Sequence, residues 1–128
     1  MASYNSTLTS TFISAADYSA SPYRLVYISS ADTVTRVTDR SAPAQRSIGI
    51  LTDDVGAASG DAVSVQMGGI AKLTAGGTIA AGDSIASDTS GQGLATTTAA
   101  DFCVGIALMA ASSGDVFSVA ILPHTYTA

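Results

Sequence analysis

Gly60-Asp61-Ala62-Val63-Ser64-Val65-Gln66-Met67-Gly68-Gly69-Ile70-Ala71-Lys72-Leu73 is the stretch that decides the fold of this chain. From Ala62 to Met67 apolar and polar residues alternate. That alternation puts Val63, Val65 and Met67 on one face of a strand and Ser64 and Gln66 on the other. Gly60-Asp61 opens the strand as a turn pair. Glycine takes a left-handed backbone without steric cost, and an aspartate side chain can bond a backbone N–H two residues on. Gly68-Gly69 reads as a second turn that returns the chain into Ile70-Ala71-Lys72-Leu73.

The same punctuation extends both ways. Upstream, Tyr23–Ile28, Thr33–Thr38 and Ser47–Leu51 are β-rich runs, separated by a loop over Asp39–Arg46 that holds Pro43 and by small residues from Asp53 to Gly60. Downstream, Gly76-Gly77 turns the chain and Gly82-Asp83 opens Ser84–Ser87. Asp88–Gly93 makes a hairpin-like loop returning through Leu94-Ala95-Thr96, and Gly114-Asp115 opens Val116–Leu122. A single helical turn is expected over Thr98–Phe102. There is no Glu and only one Lys, so the residues that normally fill exposed helix faces are missing. Short strands at this spacing predict an all-β fold, a small barrel or sandwich of antiparallel strands over residues 23–128. Residues 1–22, rich in Ser, Thr and Ala and closed by Pro22, read as an extended N-terminal arm.

A repeat is visible. Ile48-Gly49-Ile50-Leu51, a loop, then Gly60-Asp61-Ala62-Val63-Ser64-Val65 resembles Val104-Gly105-Ile106-Ala107-Leu108, a loop, then Gly114-Asp115-Val116-Phe117-Ser118-Val119. The pattern predicts two equivalent hairpins of one barrel.

Chemistry is sparse. The formal net charge is -5, with ten Asp against four Arg and one Lys, which disfavours nucleic acid and anionic membranes as partners. No apolar run approaches a membrane span, and Met1–Ser6 has neither the basic nor the apolar region of a signal peptide. One His, His124, one Cys, Cys103, and no Glu leave no zinc set of the usual spacing. Asp53-Asp54 and the Gly-Asp pairs match no calcium loop. Cys103 lies in an apolar run, where a free thiol packs as a small hydrophobe, and the missing disulfide framework fits a reducing cytoplasm. No phosphate loop and no nucleophile elbow is present. No enzyme, metal or cofactor is expected.

The order Ile48-Gly49-Ile50-Leu51, Gly60-Asp61-x-Val-x-Val, Gly82-Asp83, Gly91-Gln92-Gly93, Val104-Gly105-Ile106-Ala107-Leu108 and Gly114-Asp115-Val116 resembles the capsid decoration (cement) proteins of tailed phages, over roughly residues 24–122. The resemblance implies a compact barrel-like fold, often a homotrimer. It implies a place on the outer face of an icosahedral head, where subunits bind the major capsid protein between capsomers. Such a protein is assembled in the host cytoplasm and ends on the virion. Candidate contact residues are Tyr4, Phe12 and Tyr18 of the arm and the basic Arg36, Arg40 and Arg46. Tyr4, Tyr18 and Tyr126 either anchor the termini or plug into a partner. Tyr23 and Tyr27 are expected at the core boundary. Two other classes stay open: a fibre- or tail-associated module that recognises host glycans, and a small-molecule or metal-binding β-barrel.

Overall fold

A computed structural model describes residues 5–18, 20, 22–52 and 59–127. Its strands are β1 (Asn5–Ser14), β2 (Leu25–Ser30), β3 (Thr33–Arg36), β4 (Gly49–Leu51), β5 (Ala62–Thr74), β6 (Ser84–Ser87), β7 (Gly93–Ala95), β8 (Phe102–Ala107) and β9 (Val116–Thr125). Among the described residues there is no α-helix, only a 3-10 turn at Pro43–Gln45. The fold is all-β, as expected. The helical turn expected over Thr98–Phe102 is not made. Thr96 Oγ1 accepts the Thr98 N–H, Ala100 sits at φ 72°, and Phe102 already begins β8. A side chain that takes a backbone donor in this way competes with helix.

The strands close into two rings. The first runs β1-β3-β2-β4-β5 and back to β1, parallel only at β1–β3, where Ile13 faces Thr33. It closes by a long antiparallel ladder from Asn5↔Ile70 to Ile13↔Ala62. Residues 5–14 of the stretch read as an arm therefore supply a strand of this ring. β5 then runs beyond the first ring, and Ile70–Thr74 pairs with β9. The order continues β9-β8-β6-β7 and returns to the end of β5 through one parallel bridge, Ala75↔Gly93.

The turn expected at Gly68-Gly69 is instead a bend within one strand. β5 passes through both glycines with register shifts against β1 around Leu8, and Gly69 lies at φ 79°. That is bulge geometry, which kinks a strand without ending it. The Gln66 amide fills the gap, its Nε2 donating to Gly68 O at 2.8 Å and Ile70 O at 2.9 Å. One bent strand can then serve both rings.

The rings are copies in connectivity and in register. Leu25↔Ile50 and Val26↔Gly49 in the first correspond to Ser84↔Ile106 and Ile85↔Gly105 in the second. Ile28↔Val34 corresponds to Ser87↔Gly93. Ile50↔Gln66 and Leu51↔Val65 correspond to Ile106↔Ala120 and Ala107↔Val119. The parallel β1–β3 pair has its counterpart in the Ala75↔Gly93 bridge. The two hairpins read in the sequence as parts of one barrel thus fall one in each ring.

Their glycines explain why the repeat is legible. A Cβ on Gly49 would run into Gln66 O, and one on Gly105 into the corresponding Ala120 O. The Gly-Asp pairs recur for a different reason. Gly60, Gly82 and Gly114 lie at φ 92°, 91° and 88°. In each case one residue elsewhere donates to the Asp carbonyl and accepts from the Gly N–H: Ser14, Ala107 and Ala75 respectively. Each pair so pins another strand's end. In two of the pairs the aspartate side chain bonds backwards rather than two residues on. Asp83 Oδ2 accepts the Ala80 N–H and Asp115 Oδ2 the Ser112 N–H, because each closes a turn with the residue three before it.

Each ring encloses its own core. Val26, Val34, Leu51, Val63, Val65 and Tyr18 fill the first, with Phe12, Ile48 and Met67 against them. Leu73, Ile79, Ile85, Val104, Phe117, Val119 and Ile121 fill the second. Phe117 has no exposed surface, and burying such a ring contributes about 3 kcal/mol. β4 and the first two residues of β2 are buried on both faces. Val26 and Leu51 turn into the first core while Leu25 and Ile50 join the second, so the outer face of the first ring is the floor of the other.

Candidate functional site

Polar side chains gather where the rings meet. The β6–β7 turn lies on β2: the Leu25 N–H donates to Gly91 O at 2.7 Å, and Arg24 Nη1 donates to Ser90 O at 3.1 Å. Asp88 shapes that turn by accepting the Ser90 and Gln92 N–H groups at 2.7 and 2.9 Å. Ser87 Oγ lies 3.4 Å from Val37 O, and the Thr74 N–H donates to Tyr23 O at 2.9 Å. Burial, then the charge of Arg36, hold the Arg24 guanidinium below its ordinary pKa, against the pull of Asp88.

A second latch lies at the opposite loop. Arg40 Nε meets Asp101 Oδ2 at 2.9 Å, with the Asp101 side chain 4% exposed and that of Arg40 31%. The same carboxylate oxygen accepts Thr96 Oγ1 at 2.6 Å, and the Phe102 N–H donates to Arg40 O at 3.0 Å. Cys103 is buried beside it. Burial first, then the Asp101 carboxylate, push its thiol pKa up, against smaller opposing effects of the Tyr126 backbone and Arg40. A thiol so placed stays protonated and packs as an apolar group.

The candidate contact residues separate in space. Tyr4 lies outside the described residues. Phe12 is half-buried against the first core. Tyr18 is buried in that core, its hydroxyl accepting the Arg36 N–H at 3.2 Å and its ring 5.5 Å from the Arg36 guanidinium. Arg40 is held in the Asp101 latch. Arg46 is exposed and lies 4.5 Å over the Phe102 ring, above a shallow hollow of about 210 Å³ reaching Pro123 and His124. The three arginines therefore engage three different partners. Sequence reasoning missed Arg24 and Asp101. The only local sign of Asp101 was an acid abutting the apolar run Phe102–Ile106.

A larger groove of about 340 Å³ opens at the junction of the rings, lined by Tyr23, Ile50, Gln66, Lys72 and neighbours. Among the described residues no group of three or more His, Cys, Asp or Glu stands together as a metal set. Among the described residues the exposed large apolar side chains are Leu8, Ile13, Ile28, Leu108, Val116 and Leu122.

The described molecule is thus a pair of fused β-rings, joined in part by the Arg40–Asp101 ion pair, with several large apolar side chains left on the outside. The chain belongs to the phage cement protein family, whose model matches residues 11–122. Membership places it among the structural proteins of phage capsids. Among solved structures it is similar to the N base of the head fibre protein gp8.5 of bacteriophage phi29. The TM-score is 0.68 and the identity 20%, over 94% of this chain and 98% of that one. At that identity the likeness is one of fold. No curated protein matches.

Proposed function

We propose that this protein is a non-enzymatic decoration subunit that binds the outer surface of a tailed-phage capsid between capsomers and stabilises the shell. The observation that carries the reading is the family match, which spans both rings. The partner is the major capsid protein, bound by protein–protein contacts. A net charge of -5 supports a protein rather than a packaged nucleic acid as the partner. The working form is a homotrimer, assembled in the host cytoplasm, where the lone buried Cys103 is at home.

Of the candidate contact residues, Arg46 is the one we assign to the capsid, because its guanidinium is exposed on a firm aromatic base. Arg40 acts indirectly, by tying the loop before Arg46 to Asp101, while Tyr18 fixes the end of β3. The test is to add the purified chain to heads that lack it and measure what co-sediments. Saturable attachment, with heads more resistant to heat, is expected. Attachment to host-cell glycans and none to heads would move the chain to the fibre- or tail-module reading.

A further inference from the structure

The contact that joins the two rings has two sides, and each side has an unused copy. On the first ring the covered side is the outer face of β2 and β4, where Leu25, Val37 and Ile50 are buried. On the second ring the covering side is a mouth formed by the β6–β7 turn and the end of β5, which bonds through Ser87, Ser90, Gly91 and Thr74. The duplicated register identifies the copies. The outer face of β6 and β8, carrying Ser84 and Ile106, corresponds to the covered face. The β2–β3 turn corresponds to the covering mouth, with Ile28 in the place of Ser87 and Ile13 in the place of Thr74. Within one chain the free mouth closes only on itself, the Ile13 N–H donating to Asp32 O, and the free face is met at one edge, where a His124 ring nitrogen lies 3.2 Å from Ser84 Oγ.

We propose that the protein binds a second copy of itself head to tail, by repeating its own ring-to-ring contact: the β2–β3 mouth of one subunit seats on the β6–β8 face of the next. Side-chain character supports this occupant. Ser87 Oγ and Thr74 Oγ1, on the covered mouth, donate to Val37 O and Pro22 O, whereas their free counterparts are Ile28, 40% exposed, and Ile13, 44% exposed. Thr52, beside the covered face, is matched on the free face by Leu108, 46% exposed. The correspondence follows from the Thr52 N–H to Ser64 O bond and its twin from Leu108 to Ser118. Apolar residues thus stand on both halves of the free contact, where solvent alone would favour polar ones. A mouth seated on a face is a heterologous contact, which closes into a ring or grows into a filament according to its rotation.

This inference rests on the self-association within the proposed function, and complementation tests it. Ile28→Asp spoils only the mouth and Leu108→Asp only the face, both at exposed positions. By light scattering the full wild-type chain is expected above the monomer mass of 12.7 kDa, and each variant alone at it. An equimolar mixture is expected at twice that mass, since one intact mouth still meets one intact face. Pairing in the mixture also shows that both variants fold. Variants that keep the wild-type mass overturn the proposal. So does a mixture that stays monomeric, which would indicate a two-fold contact instead. A wild-type chain monomeric at every concentration but bound to heads overturns it while sparing the capsid reading, and assigns these faces to capsid protein. A chain that self-associates as described yet ignores heads does the reverse.

Discussion

Gly49 and Gly105 stand at corresponding points of the two rings, and neither has room for a methyl group against the facing carbonyl. Backbone has to move for either to become Ala, and overpacking of that kind costs about 3 kcal/mol. Gly82 differs: its Cβ direction is open and only its φ of 91° objects, so alanine there costs about 1 kcal/mol. Urea unfolding should rank Gly105→Ala and Gly49→Ala well below Gly82→Ala in stability. Equal losses at all three would mean the close approaches are not real. The Arg40–Asp101 latch makes a second residue-scale prediction. Arg40→Met leaves a buried carboxylate with only Thr96 and should cost about 2 kcal/mol, tempered because Arg40 is partly exposed. Joining it with Asp101→Leu should recover most of that loss in a double-mutant cycle, because no charge is then left unpaired.

β5 shows what can and cannot be read from sequence at the scale of an element. Its alternation from Ala62 to Met67 marked it as a strand, but a Gly-Gly pair looks the same whether the chain turns or only bends. Gln66, whose amide holds the bend, is polar at a surface-like position and gave no sign of being buried. The β4–β5 and β8–β9 hairpins were legible as a repeat because a close approach keeps the glycine in place. The matching of β2 with β6 and β3 with β7 was not legible, since Leu25 has become Ser84 and Val34 has become Gly93. β1 was hidden by its serines, one of which, Ser14, is buried. Of the site, Arg46 was readable as a surface cation, while the Arg40–Asp101 pair joins loops that only the fold brings together. β1 closes the first ring, so a chain lacking residues 1–14 should lose amide protection over β2 and β4 while β8 and β9 keep theirs. Hydrogen exchange reads this directly, and unchanged protection in β2 would show that β1 is dispensable to the ring.

Taken whole, the molecule is a short chain that obtains two cores by using one architecture twice and sharing a strand between the copies. Each core is small, so the seam between rings matters as much as either interior, and Leu25 and Ile50 supply it. A body of this kind has much outer surface for its size, which suits a subunit that gains stability by mass action on a lattice. The family match supports that role. The most direct test is the copy number of purified chain bound per head lacking it, counted after co-sedimentation and located by electron microscopy. The account predicts saturation at a fixed number per icosahedral unit, with density on the outer surface between capsomers. Binding that fails to saturate, or density confined to the tail or fibres, would contradict it.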